Sequence, residues 1–238
     1  MNKLNTSVKV TELGDTALRL VKAFKAVVAV QNDAFLTKTF AEIEKQATAM
    51  TSAVKSDQAL SKLEEADAQR DQAIRVLDKL LKGYENIPLE NLKTHAKKLA
   101  EIFKKYGVKI TGENYASQST LINSLLGDFS ATELKPSIEA LAGVKEALAE
   151  IQTKQDAFAA LRSDYEKAQV SQKEKSSATS LRKPLLELIN KKVVPYLVAM
   201  SIAQPELFKN LTAEASEIIT STNEAIKARS KKEKKEKK

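Results

Sequence analysis

The chain has a single histidine, His95, and no cysteine. One imidazole and no thiolate cannot assemble a multi-histidine or thiolate zinc site, and no thiol is present to attack a substrate. Di-iron carboxylate bundles need Glu-x-x-His on two helices, so a lone histidine excludes them too. His95 stands three residues after Leu92 and four before Leu99. That spacing sets it beside an apolar helix face and reads as a packing residue rather than a general base. There is no Gly-x-Gly-x-x-Gly, Walker A or Gly-x-Ser-x-Gly motif, and six glycines are too few to build phosphate-cradling loops. Carboxylate pairs such as Glu64 with Glu65, or Glu85 with Glu90, read as ordinary surface residues. The chain is therefore expected to hold no catalytic, cofactor-binding or metal-ligating residue and not to be an enzyme.

Two groups of polar residues remain. Asp67, Arg70 and Asp71 occupy or flank an apolar helical seam. Either they form a polar site inside a bundle, or Asp67 and Arg70 pair along one helix and set its register against a neighbour. The second reading is the simpler. Gln155 and Arg162 are polar members of a later seam and read the same way, so Asp67, Arg70 and Arg162 are the expected buried polar contacts. The other group is the lysine-rich end: Lys231, Lys232, Lys234, Lys235, Lys237 and Lys238. From Arg229 to Lys238 there are seven basic and two acidic residues, a net +5 out of +8, which leaves +3 for residues 1–228. The body is nearly balanced. The lysines could contact phosphates of nucleic acid or an anionic surface. No aromatic stands among them to stack bases, and solubility explains them equally simply.

The elements that must position these residues are helices. Average usage would give roughly seventeen glycines and twelve prolines at this length, against six and five here. Such scarcity excludes turn-dense sandwiches, barrels and propellers. The expected fold is all-α, with about eight helices in antiparallel, coiled-coil-like bundles. Residues 1–12 read as an extended arm in which Val8 and Val10 alternate with polar neighbours. A first helix starts near Asp15 and buries Leu18, Val21, Phe24 and Val28. Leu36, Phe40, Ile43, Ala47, Met50 and Val54 step by four and three as a second seam. The next seam, from Leu60 and Leu63 through Asp67, Arg70, Ile74, Leu77 and Leu81 to Tyr84, is out of phase with it by about 100°. A hairpin near Ser56-Asp57 resolves the conflict more simply than a kinked rod.

Gly83 is expected to end that helix, Pro88 to open another and Gly107 to stop it. A short helix follows from Asn114 to Gly127. Ser130 to Glu133 has the form of a capping box, with Phe129 and Leu134 as its staple. It leads into a long helix with Gly143 inside it and a seam through Leu141, Val144, Leu148, Ile151, Phe158 and Tyr165. Residues 170–180 read as a solvated connector. Leu181 to Ile202 is strongly apolar and should kink at Pro195. Gln204-Pro205 opens the last helix, with Leu207, Leu211, Ala215, Ile218, Thr222 and Ile226 as its seam.

Short echoes relate the two parts of the chain. Asp33-Ala34-Phe35 recurs as Asp156-Ala157-Phe158, Pro88 to Leu92 echoes Pro205 to Leu211, and Arg70 echoes Arg182. The offsets suggest two duplicated helical halves. The expected organisation is an arm at 1–12, one bundle half at 13–107, a second at 108–229 and a disordered basic tail at 230–238.

Arg70-Asp71 with Ile74 and Leu77, then Ala100 to Phe103 with Tyr106-Gly107, carry a resemblance. Tyr115, Leu121-Ile122, Leu125-Leu126 and Phe158 with Arg162 extend it. The pattern resembles an uncharacterised family of all-helical proteins of the Bacteroidota, a domain of unknown function. The likeness spans most of residues 10–228. It implies a helical fold and brings no catalytic residues.

The start of the chain lacks a basic-then-apolar signal pattern, since Glu12 and Asp15 interrupt it, and no apolar run approaches the ~20 residues of a membrane span. A cytoplasmic protein is expected. The leading functional reading is a non-enzymatic structural or interaction protein that presents helical faces to a protein partner, a second copy included. The alternative is nucleic-acid or anionic-surface binding through the lysine-rich end. An apolar-ligand carrier built on Tyr196, Leu197 and Met200 is a third class, and core packing explains those residues better.

Overall fold

The computed structural model describes residues 1–171 and 177–236, with Ser171 and Glu236 described by backbone alone. Among the described residues there is no strand. The α-helices are α1 Val10–Ala26, α2 Ala34–Asn86, α3 Glu90–Lys104, α4 Tyr115–Phe129, α5 Lys135–Ala140, α6 Val144–Ser171, α7 Ala178–Glu187, α8 Val194–Ala203 and α9 Pro205–Glu236. A π-helical stretch, Leu188–Val193, joins α7 to α8. With those two taken as one run, the described residues form eight helices. None of them is long and apolar enough to cross a membrane.

The chain folds as two compact units. One comprises Met1–Asp57 and Ala168–Lys238, the other Gln58–Lys167. The division expected at residue 107 therefore falls inside the second unit. The observed divisions lie within α2 and α6, where an uninterrupted helix carries no turn signal to betray them.

In the first unit α1 lies against α7 and α9, and α8 against α9. Leu20, Phe24, Leu36, Phe40, Leu197 and Leu211 are among its buried residues. Each such side chain contributes about 1.5–3 kcal/mol when fully withdrawn from water. The Phe24 and Phe40 rings stack with centroids 4.5 Å apart. A Thr16–Thr222 hydroxyl contact of 3.0 Å is buried between α1 and α9.

Several boundaries differ from expectation. α1 starts at Val10 rather than Asp15, because the Glu12 carboxylate accepts the Lys9 N–H at 2.8 Å and closes the first turn. Gly14 is buried within the helix. The arm is thus residues 1–9, and it makes a turn at Thr6-Ser7 rather than a strand. α1 ends at Ala26, so Val28 sits in a 3-10 turn, 76% exposed, and the buried face runs through Leu13, Ala17, Leu20, Val21 and Phe24.

No hairpin forms at Ser56-Asp57: α2 is one helix of 53 residues. Its buried stripe leaves Met50 by way of Ala53 and Ser56 and reaches Leu63 and Ala66 in steps of mostly three. Each step of three falls about 60° short of a full rotation, so the stripe walks around the axis while the helix stays continuous. Val54, the member expected from apolar character, is only partly buried.

In the second unit α3 lies against α4 and α5. Ile74, Leu77, Leu99, Phe103, Ile122 and Leu125 belong to its core. Gly83 and Gly127 do not end helices. Both are helical positions with open space where a methyl group would stand, nothing lying within 4 Å of it, and the helices run past them to Asn86 and Phe129. Ser130 does not open a capping box. Its hydroxyl donates to Gly127 O at 2.7 Å and so closes the end of α4. Gly143 lies in a break between α5 and α6, not within a helix.

Gly107 and Gly143 have positive φ, +62° and +86°. Gly107, with ψ 178°, occupies a region essentially closed to other residues. Gly107→Ala is expected to cost about 1–3 kcal/mol of stability. Gly83→Ala is expected to gain roughly 0.5–1 kcal/mol, since it restores helix propensity in open space. Chemical denaturation of the two variants side by side measures both signs.

Pro195 stands in the first turn of α8 and the irregularity is the π-helical stretch before it, which absorbs the missing N–H. Of the expected connector at 170–180, residues 172–176 lie outside the described residues. Ser177 caps α7 by accepting the Ser180 N–H at 3.1 Å. The tail is not disordered through its described part, because α9 continues to Glu236. Lysine and glutamate are good helix formers, Arg229 and Glu233 pair one turn apart at 3.9 Å, and lysines suit a helix C-terminus. Lys237 and Lys238 lie outside the described residues.

Candidate functional site

Three helices of the second unit bring polar side chains to one buried point. α2 supplies Asp67, Arg70 and Asp71, α4 supplies Gln118 and Ser119, and α6 supplies Gln155 and Phe158. The local geometry follows from the sequence. Leu63, Ala66, Arg70 and Ile74 recur at helical spacing, which sets Arg70 on the buried stripe of α2. Asn114 accepts the Ala116 and Ser117 N–H groups at 3.1 and 3.0 Å, which fixes the start of α4 one turn before Gln118. Ile151, Gln155 and Phe158 step by four and three along the buried face of α6.

Arg70 is 0% exposed. Its Nη2 donates to Asp67 Oδ1 at 2.6 Å and to Gln118 Oε1 at 2.8 Å. Its Nη1 donates to Ser119 Oγ at 3.0 Å and to Gln155 Oε1 at 3.1 Å. The guanidinium carbon lies 3.7 Å from the Phe158 ring centroid. All four terminal N–H groups thus have acceptors and one flat face has a π-system. Nε alone finds no partner among the described residues. Tyr115 meets Phe158 edge-on at 5.1 Å and closes the side of the cluster.

Gln118 links the two acids. It accepts from Arg70 and passes its own Nε2 hydrogen to Asp71 Oδ1 at 2.7 Å. Burial is the main effect on the Asp71 carboxyl and pushes it above the ordinary value of 3.8. The Gln118 hydrogen bond opposes the rise, and the neighbouring Asp67 charge adds to it. A raised folded value means that the stability this group contributes is complete below the ordinary value and is lost as pH rises through the raised one. Asp71→Asn is therefore expected to raise the unfolding midpoint at neutral pH and to leave it unchanged in acid. Thermal melts at both pH values test this, and an equal fall at both would contradict it.

Arg162 does not join the cluster. It pairs with Glu166 on its own helix at 3.0 Å, and its side chain is 36% exposed. The positions of α6 that lie against the core beyond Phe158 are Leu161 and Tyr165, which leaves Arg162 to the side. His95 is half-buried, with Nδ1 3.0 Å from the Ser137 hydroxyl. Of the acceptors around Arg70, Gln118 and Ser119 were missed by sequence reasoning. Gln118 did carry a signal: it stands four residues before Ile122 at an otherwise apolar helical position.

The echo between Arg70 and Arg182 does not extend to their surroundings. Arg182 is half-buried and donates to the main-chain carbonyls of Val8, at 3.0 Å, and Thr6. Likewise Phe158 lies buried under a guanidinium, whereas Phe35 is 40% exposed and stacks on Tyr196.

Residues 60–232 match a family described as a family of unknown function, DUF6261. The matched span is well over half of the chain. The chain belongs to the DUF6261 family. This agrees with the likeness read from Arg70-Asp71 and the apolar positions that follow it. No curated protein and no solved structure matches the chain. The DUF6261 span takes in every member of the arginine cluster. Residues 1–59, and Lys234 and Lys235 at the other end, lie outside it.

Proposed function

We propose that this DUF6261 chain is a non-enzymatic, cytoplasmic helical protein with a structural or protein-interaction role. The observation that supports this best is the state of Arg70. Arg70 is wholly buried and its four terminal N–H groups are all taken by its own helices, so it serves to hold three helices in register rather than to face a substrate. The long α2, α6 and α9 turn mixed-charge faces outward, as a protein that meets other proteins would. The test is twofold. Incubated with a mixture of common metabolites, the purified chain should leave their NMR spectra unchanged. In extracts of its native cell, at native concentration, the chain should run in a stoichiometric complex with a partner protein or with itself. Turnover that His95→Ala abolishes would overturn this reading, as would migration as a free monomer.

One observation favours a second reading, binding of nucleic acid or an anionic surface. Because α9 stays helical, Lys227, Lys231, Lys234 and Lys235 fall within about 100° of one another around its axis. Glu233 points to the other side, with Arg229. Glu224, one turn earlier, closes the basic stripe. A duplex DNA affinity at low salt that falls steeply with added salt, and that vanishes on deletion of residues 230–238, would carry this reading. Its absence in the full chain would end it.

A further inference from the structure

The arm and its surroundings in the first unit form a second constellation. Leu4 and Val8 are each 1% exposed, while Lys3, Thr6 and Ser7 face solvent. Asn190, in the π-helical stretch, binds Leu4 on both sides: it accepts the Leu4 N–H at 2.8 Å and donates to Leu4 O at 2.8 Å. Asn223 of α9 accepts the Asn5 N–H at 2.8 Å and donates to Lys3 O at 2.9 Å. Arg182 of α7 donates to Thr6 O and Val8 O. Arg229 of α9 donates to Ser7 O at 3.1 Å and pairs with Glu12. Within the arm, Val8 N–H donates to Asn5 O at 3.2 Å, and Asn5 Oδ1 accepts the Ser7 N–H at 2.8 Å. Every carbonyl from Lys3 to Val8 thus has a donor.

A cover for an apolar core needs only apolar side chains. Here two arginines and two asparagines read the main chain instead, and only two side chains of the segment are buried. Main-chain recognition with a pair of apolar anchors is the chemistry of peptide capture. A π-helical stretch is also a common device for aiming a side chain at a ligand. The slot residues Arg182, Asn190, Asn223 and Arg229 all lie within the span matched by the family, and the arm lies outside it.

We propose that this slot is a peptide-recognition site. It accepts, from a partner protein, a segment with two aliphatic residues four positions apart around an Asx turn, and residues 3–8 are its resident competitor. The proposal rests on the interaction role above and names its surface. A tethered competitor acts at an effective concentration on the order of millimolar, so the free peptide binds well only once the arm is weakened.

The probe is a fluorescent peptide of residues 1–9, followed by anisotropy against the full chain. Leu4→Ala in the full chain is expected to tighten peptide binding about tenfold or more over wild type. Asn5→Pro, which removes the N–H held by Asn223 and leaves the Leu4 side chain in place, should do the same if Leu4→Ala fails to fold. Asn190→Ala added to either variant should reverse the gain, and a peptide with serine at both aliphatic positions should not bind. A helical, cooperatively melting arm variant that ignores the peptide, or binds the serine peptide equally, overturns the proposal. A wild-type dimer by light scattering that Leu4→Ala dissociates also overturns it, since the slot would then hold a second copy's arm. Metabolite turnover would sink the interaction role while leaving peptide binding measurable.

Discussion

Arg70→Ala is expected to lower the unfolding free energy by about 3–5 kcal/mol, the usual cost of removing one partner from a buried charge network. The truncation strips Asp67, Gln118, Ser119 and Gln155 of a shared donor and uncovers one face of Phe158. It also leaves a void where the largest fully buried side chain stood. Arg70→Met restores much of the volume but not the donors, so it should remain destabilised. Arg70→Met combined with Gln118→Leu and Gln155→Leu also removes the two buried amide acceptors and should recover part of the loss, since an apolar core avoids the desolvation of a charge. Asp67 and Ser119, both partly exposed, keep water, while Asp71 loses its Gln118 hydrogen bond. Urea unfolding followed by helical circular dichroism measures all three. A loss of under about 1 kcal/mol for Arg70→Ala would mean that the guanidinium does not hold the helices.

Phe40→Ala is the counterpart in the first unit. Phe40 is 2% exposed and stacks on Phe24 with the ring planes 10° apart. Truncation of a buried phenylalanine costs about 3–5 kcal/mol, part of it the aromatic pair itself. The chain has no tryptophan, so a single tryptophan can be introduced as a local reporter. Tyr84→Trp reads the second unit and Phe35→Trp the first. Phe40→Ala should move the Phe35→Trp transition to lower urea, and Arg70→Ala the Tyr84→Trp transition. Identical shifts of both reporters in both variants would show that the units melt together.

The parts of the fold that could be read in advance are those set by local rules. The seam from Leu36 to Met50, the stop at Gly107 and the helix start near Asn114 need only neighbours within a few turns. The Asp67–Arg70 pair is also local, being three residues apart on one helix. What could not be read are meetings across the chain. Ser119 and Gln155 reach Arg70 from 49 and 85 positions away, and neither residue type announces its partner. Asn190 and Asn223 are single amides with no periodic signal, although Asn190 does interrupt the most apolar stretch of the second half. The false hairpin at Ser56-Asp57 has a different origin. A stripe assembled from large apolar residues skips Ala53 and Ser56, which are small enough to lie buried where the helix drifts in phase. Glycine misled at Gly83 and Gly127, since a solvated helical glycine costs only about 1 kcal/mol. It informed at Gly107, where φ is positive, and not at Gly143, whose positive φ breaks the helix expected to run through it.

The first unit is made of two stretches, Met1–Asp57 and Ala168–Lys238, with the whole of the second unit encoded between them. As the chain leaves the ribosome, residues 58–167 emerge as a contiguous block whose contacts are all at hand. Residues 1–57 emerge earlier but must wait for α7, α8 and α9. At roughly 5–20 residues per second, that wait lasts many seconds, during which Phe24 and Phe40 have each other but not α7, α8 and α9. Residues 1–57 can therefore complete their packing only after residues 58–167 have emerged, and it is their apolar faces that chaperones and proteases meet in the interval.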